Sequence, residues 1–197
     1  MPIAVSRSFV HLTFTPCCVK IGSVLIYAYD LTALVKGEER MAKIKIGGIM
    51  QTTGLAKVGV MSIPDRPGTA GYIMAALGRK GINVQFIVQC IDIHDNDHVV
   101  FCIAQEDLEK AKDILAGVKS DLGAEQVIQR ENVAVLSIFG PDFRERPGIA
   151  GTMFSALGSR DINILAISTS ISTLSCVIDA DRLQEAVTAM RETFDLP

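Results

Sequence analysis

Arg66-Pro67-Gly68-Thr69-Ala70-Gly71 opens a stretch that continues through Ala76-Leu77-Gly78 to Ile82-Asn83-Val84. The same pattern returns as Arg146-Pro147-Gly148-Ile149-Ala150-Gly151, Ala156-Leu157-Gly158 and Ile162-Asn163-Ile164. From Arg66 to Arg146, and from Asn83 to Asn163, the offset is 80 residues, so the unit is repeated without insertion or loss. A period of this length is too long for a solenoid repeat and suits a small domain. Two copies within 197 residues leave little room for a separate catalytic domain.

Each copy reads as alternating strands and helices. Lys57 to Ile63 is short, apolar and β-prone, and Pro64 closes it. Pro67 is expected near the first helical position, where a missing N–H costs nothing. Ile73, Met74, Ala76 and Leu77 then recur at helical spacing up to Gly81. Ile82 to Ile91 and His98 to Ala104 read as a hairpin around the polar turn Asp92 to Asp97. Glu106 to Leu122 carries an apolar stripe and ends at Gly123, and Glu125 to Gln129 is a further strand. The order β-α-β-β-α-β predicts an α+β, ferredoxin-like fold: a four-stranded antiparallel sheet with both helices on one face.

The second copy repeats this with strands Val133 to Phe139, Ile162 to Ser170 and Ser172 to Asp179. Its helices are Pro147 to Ser159 and Arg182 to Phe194, and its last strand is missing. The segment Lys43 to Ile49 is a spare strand ahead of the first copy and is expected to supply that edge. The expected organisation is a leader (1–40), a leading strand completing the second repeat (41–55), a first domain (56–131) and a second (132–197). Gly37-Glu38-Glu39 implies a purine-rich coding run just upstream of Met41, like a bacterial ribosome-binding site. Met41 is therefore the expected translation start.

A net charge of −3 offers no basic face for nucleic acid or an acidic membrane surface. Val19 to Tyr29 is too short to span a bilayer, and a secretory signal fits poorly. Five cysteines (Cys17, Cys18, Cys90, Cys102, Cys176) form no C-x-x-C pair and no zinc spacing. Reduced, core-filling cysteines in a cytoplasmic protein are expected. His94-Asp95-Asn96-Asp97-His98 reads as a hairpin turn rather than a metal site. No catalytic residue, metal or cofactor is expected; Glu106, Asp107, Lys110 and Lys112 read as a solvated helix face.

The repeated Pro-Gly stands where a strand hands over to a helix. Such an N-terminus carries unpaired N–H groups and the positive end of the helix dipole, and a glycine lets a ligand reach them. Gly68 and Gly148 thus suit a small carboxylate, with Asp65 as partner for an ammonium group. Asn83 and Asn163 could donate to and accept from a polar ligand. Pattern alone leaves these corners open between a ligand site and ordinary turn chemistry.

On these residues the chain resembles the tandem ACT domains of bacterial aspartate kinases. Ser-Ile-Pro-Asp-Arg-Pro-Gly and Ile-Asn-Val-Gln-Phe-Ile-Val-Gln, within Lys57 to Arg130, are similar to the first such domain. Arg-Pro-Gly-Ile-Ala-Gly, Asn163 to Ser170 and Phe194-Asp195-Leu196 are similar to the second. Ile44 to Thr53 resembles the segment that threads into the second domain. The resemblance implies a region that binds lysine, threonine or both between ACT domains and mediates feedback inhibition of amino-acid biosynthesis. Carried over by position, the effector residues are Asp65, Gly68, Ala70, Asn83 and Gln89, with Asn163, Ile164, Ser168 and Ser170 in the second copy. The second copy departs from the family at Glu145-Arg146 and Ile171, and its loop between Ser-Ile and Arg-Pro-Gly reads as five residues longer.

No kinase-type nucleotide loop is legible, so the resemblance implies a non-catalytic regulatory subunit. Its expected partners are an amino-acid effector and either a second copy or a kinase subunit, with no nucleic acid or membrane. The alternative is a stand-alone tandem-ACT sensor controlling transcription or another metabolic enzyme.

Overall fold

A computed structural model describes the backbone of Cys17–Ile21 and Val24–Ala28, and residues 43–197. The expectations for Met41 and for most of the leader lie outside the described residues. The chain divides into two compact units, Met1–Ala42 and Lys43–Pro197. In the first, β1 (Cys17–Ile21) pairs antiparallel with β2 (Val24–Ala28).

The second unit begins with β3 (Ile44–Lys45) and then β4 (Gly48–Pro64), a strand of 17 residues. There follow α1 (Thr69–Gly78), β5 (Val84–Ile91), β6 (Asn96–Ala104), α2 (Leu108–Leu122) and β7 (Gln126–Phe139). The second repeat adds α3 (Ile149–Gly158), β8 (Ala166–Thr169), β9 (Thr173–Asp179), α4 (Leu183–Thr193) and β10 (Phe194–Asp195). One six-stranded antiparallel sheet runs β5-β6-β4-β7-β9-β8.

Two four-stranded halves share β4 and β7. The C-terminal half of β4 pairs with β6 and with Gln126–Arg130 of β7. Its N-terminal half, Gly48–Thr52, pairs with Val135–Phe139. The leading segment therefore contributes its sheet edge from Gly48 onward rather than over Lys43 to Gly47. Ile44 and Lys45 instead form a short parallel bridge with Phe194 and Asp195. Where the long strands pass between halves, Gly54 (φ 68°) and Asn132 (φ 54°) take left-handed backbone, which glycine and asparagine tolerate best. Glu125–Gln129 and Val133–Phe139, two strands by sequence pattern, are one continuous strand.

Alternation builds a core under each helix pair. Val58, Val60, Ile63, Val99 and Phe101 meet Ile73, Leu77, Ala111 and Leu115 in the first. Ile46, Leu136, Ile138 and Cys176 meet Met153, Leu157, Ala186 and Phe194 in the second. On the opposite sheet face a third cluster joins the repeats through Leu55, Phe86, Cys102, Val133, Val135 and Val177.

The loop between β4 and α1 is residues 65–68 and that between β7 and α3 is residues 140–148, so the second is five residues longer, as its sequence reads. A bulge between Val60 and Ile63, with Ser62 at φ 51°, interrupts the β4–β6 pairing. One expectation needs correction. Pro67 lies in the turn ahead of α1, whose first residue is Thr69; Pro147 likewise precedes Ile149.

Candidate functional site

The first corner forms where β4 ends. Gly68 caps α1 with φ 98°, a conformation that a side-chained residue adopts only under strain. No side chain caps this helix. The Thr69 N–H reaches Arg66 O at 3.4 Å, and the Tyr72 N–H reaches Gly68 O at 2.9 Å. Among the described residues, the Ala70 and Gly71 N–H groups have no protein acceptor. A β-carbon at Gly68 would meet nothing within 4 Å, so the corner is open to solvent. The Thr69 hydroxyl donates to Arg66 O at 2.9 Å and holds the loop shape.

Two anchors position this corner. On the helix side, the Arg66 guanidinium donates to Asp121 O at 3.1 Å and the Tyr72 hydroxyl donates to the Asp121 carboxylate at 2.6 Å. That bond to Asp121 holds the phenol proton and raises the Tyr72 pKa. Arg66, Pro67, Gly68, Tyr72 and Asp121 border a cleft of about 230 Å³. On the sheet side, the Asp65 N–H donates to Asp95 O at 3.1 Å, which ties the loop to the β5–β6 hairpin. Gln89, near the end of β5, donates through Nε2 to the Asp97 carboxylate at 2.6 Å.

The hairpin is organised by Asp92. Its carboxylate accepts from the backbone N–H groups of His94 and Asn96 at 2.8 and 3.0 Å, and meets His98 Nε2 at 3.2 Å. The Asn96 N–H, ahead of those of His94 and the His98 ring, holds the Asp92 carboxyl far below the usual carboxylate range against an opposing desolvation. His98 Nδ1 accepts from the Ser62 N–H at 3.2 Å, so both ring nitrogens are engaged. Among the described residues no group of three or more His, Cys, Asp or Glu side chains is placed to hold a metal ion.

The second corner is built the same way on different side chains. Gly148 caps α3 at φ 92°, again with no side-chain cap. Phe143, Arg146, Pro147, Gly148, Thr169, Ser170 and Thr173 surround a cleft of about 310 Å³. Ser170 Oγ accepts from the Thr173 N–H at 3.1 Å and shapes the short β8–β9 turn.

Asp65, Gly68 and Ala70 thus follow one another through the first loop into α1, Gln89 stands on the β5–β6 hairpin to which the Asp65 N–H is bonded, and Ser170 borders the second cleft. Asn83 precedes β5 and is about 20 Å of strand away from Gln89. Asn163 and Ile164 likewise precede β8, away from Gly148. Ser168 faces Ser175, whose hydroxyl bonds Ser137 at 2.7 Å. That row lies on the face of the third cluster, opposite the helices. Sequence reasoning missed Asp97 as more than a turn residue. The alternation Asp97, Val99, Phe101, Ile103 was the signal that places it on the core-facing row.

The cysteine expectation holds in part. Cys102 and Cys176 are buried, and desolvation pushes both thiols up to about 12. Cys90 is exposed, because β5 is an outer strand with one side toward solvent. Among the described residues no helix is long and apolar enough to cross a membrane.

Comparison with known proteins agrees with this architecture. The ACT domain model matches twice, over residues 58–117 and 136–194. An aspartate kinase of Stutzerimonas stutzeri is 36% identical over 160 residues, covering 81% of this chain and 39% of that protein. An aspartokinase of Thermus thermophilus is 29% identical over 172 residues, covering 86% of this chain and 42% of its own length. The chain therefore spans about two-fifths of these relatives. The ligand-free regulatory subunit of aspartate kinase from Thermus thermophilus superposes with a TM-score of 0.69 at 29% identity. That match covers 76% of this chain and 99% of the subunit.

Proposed function

The chain belongs to the ACT-domain family, and from that premise we propose that it is the amino-acid-sensing regulatory part of an aspartate kinase system. Its similarity to regulatory subunits over nearly their whole length supports this reading. The observation that carries it is the uncapped, solvent-facing start of α1, with a left-handed glycine where a ligand carboxylate would approach.

In this proposal the effector is a free amino acid of the lysine or threonine type, and the chain performs no catalysis by itself. The carboxylate meets the Ala70 and Gly71 N–H groups, and Asp65 and Gln89 border the polar side. Asn83, Asn163, Ile164 and Ser168 lie away from their own corners. As effector contacts they would act across an interface between ACT domains, which favours a homodimer or a complex with a kinase subunit. The bound effector would shift the equilibrium between two arrangements of those domains by its differential affinity, giving feedback control of the kinase.

A thermal-shift screen of the twenty amino acids tests this. A ligand at a hundredfold excess over Kd stabilises the native state by about 2–3 kcal/mol. Stabilisation by lysine or threonine is expected; no shift with any amino acid removes the reading. Co-purification with a kinase subunit, and no kinase activity of the isolated chain, separates a regulatory subunit from a stand-alone sensor or an enzyme.

A further inference from the structure

The two helix pairs differ in how their outer surfaces are closed. α2 and α4 begin at the matching residues Leu108 and Leu183, and nine residues further on stand Gly117 and Glu192. At the repeat offset of 80 residues, Lys80 is the counterpart of Arg160. In the second repeat the Arg160 guanidinium bridges to the Glu192 carboxylate, joining the turn after α3 to α4. In the first repeat that acid is missing, and a β-carbon at Gly117 would meet nothing within 4 Å.

What remains is a groove of about 230 Å³ between α1 and α2, bordered by Tyr72, Ala76, Arg79, Lys80, Ile114 and Gly117. Its floor is apolar, with Ala76 and Val118 buried and Ile114 half-buried against the first core. On its rim Arg79 and Lys80 are exposed and join no salt bridge among the described residues. Asp121, the acid of this rim, is held by the Tyr72 hydroxyl at 2.6 Å. Exposed cations by themselves are ordinary surface. Here they stand over an apolar groove from which the acid of the other repeat has been left out. A carboxylate with an apolar side chain beside it would complete the arrangement. The space lies below the roughly 300–1,000 Å³ of small-molecule pockets and suits about one or two side chains of a protein. Tyrosine and arginine are also the residue types that most often anchor protein interfaces.

We propose that the α1–α2 groove docks an acidic helical segment of a partner protein. The partner's carboxylate takes the part of Glu192 beside Arg79 and Lys80, and its apolar side chain covers Gly117 and Ile114. A helix laid into a groove is an established mode of recognition, and in the second repeat the acid also comes from a helix. That repeat has the position filled by its own Glu192, so the docking surface is confined to the first. The inference goes beyond the effector reading and does not rest on it, since neither Gly68 nor Gly148 takes part.

The test uses the full chain and two synthetic alanine-based helical peptides. One carries a Glu–Leu pair at i, i+4, and the other has Gln in place of Glu. In amide NMR spectra the glutamate peptide is expected to move the resonances of Tyr72, Arg79, Lys80 and Gly117. The glutamine peptide is expected to bind about fivefold more weakly, the upper range for a partly exposed ion pair. Arg79→Glu combined with Lys80→Glu should remove the preference for the glutamate peptide. Gly117→Glu, which supplies the acid from within, should block its binding. Equal binding of the two peptides, no shift with either, or a preference that survives both variants overturns the proposal. Acetate moving the same resonances as strongly as the glutamate peptide assigns the groove to a small anion and overturns it as well. None of these outcomes bears on the effector reading, which the thermal-shift screen decides.

Discussion

Gly68 and Gly148 do by backbone what no other residue could do as cheaply. Their φ values of 98° and 92° lie where a β-carbon is strained, and neither position has an atom within 4 Å to crowd one. Gly68→Ala is therefore expected to cost about 1–2 kcal/mol from backbone strain alone, read by urea unfolding, with weaker effector binding as the corner shifts. At Asp92 the pH dependence has a definite sign. Its carboxyl is depressed in the folded chain, so the unfolded chain binds the proton more tightly. The stability it contributes is fully present above the ordinary aspartate pKa of about 3.9 and declines as pH falls toward the folded value. Protection factors in the β5–β6 hairpin, taken relative to the intrinsic exchange rate at each pH, should fall on acidification, and Asp92→Asn should flatten that slope.

At the scale of elements, the second half of the sheet depends on residues that precede the first. Ile46 is 1% exposed in the second core, and the Gly47 N–H bonds Phe139 O at 2.6 Å. Ile46→Ala is expected to cost about 2–5 kcal/mol, with hydrogen-exchange protection lost mainly in α3, α4 and β9. Deleting residues 43–49 should have a larger effect of the same kind. Gly48 adds a steric reason for the local sequence. A β-carbon there would stand 2.8 Å from the Phe139 ring, so Gly48→Ala must displace that ring or open the edge.

For the Lys43–Pro197 unit as a whole, β4 and β7 cross both halves and the third cluster joins them on the side opposite the helices. Unfolding of this unit should therefore be a single transition rather than two. Leu55→Ala, in that cluster, should lower the protection of both repeats together; separate transitions in calorimetry would contradict this. The repeat unit, its β-α-β-β-α-β order and the glycine corners were legible in the chain because alternation, helical spacing and turn residues are local signals. Asp97 was half legible: its register showed in the alternation, while its bond from Gln89 did not. Pairing partners are set by contacts between residues far apart, so the fusion of two strands into β7, the Ser62 bulge and the exposure of Cys90 required the assembled sheet. By itself the sequence determined the alternation that turns most apolar residues toward a core and the glycine corners after which α1 and α3 begin. Tertiary structure decided which strand lies beside which, because that choice depends on the common burial of apolar faces contributed by both repeats.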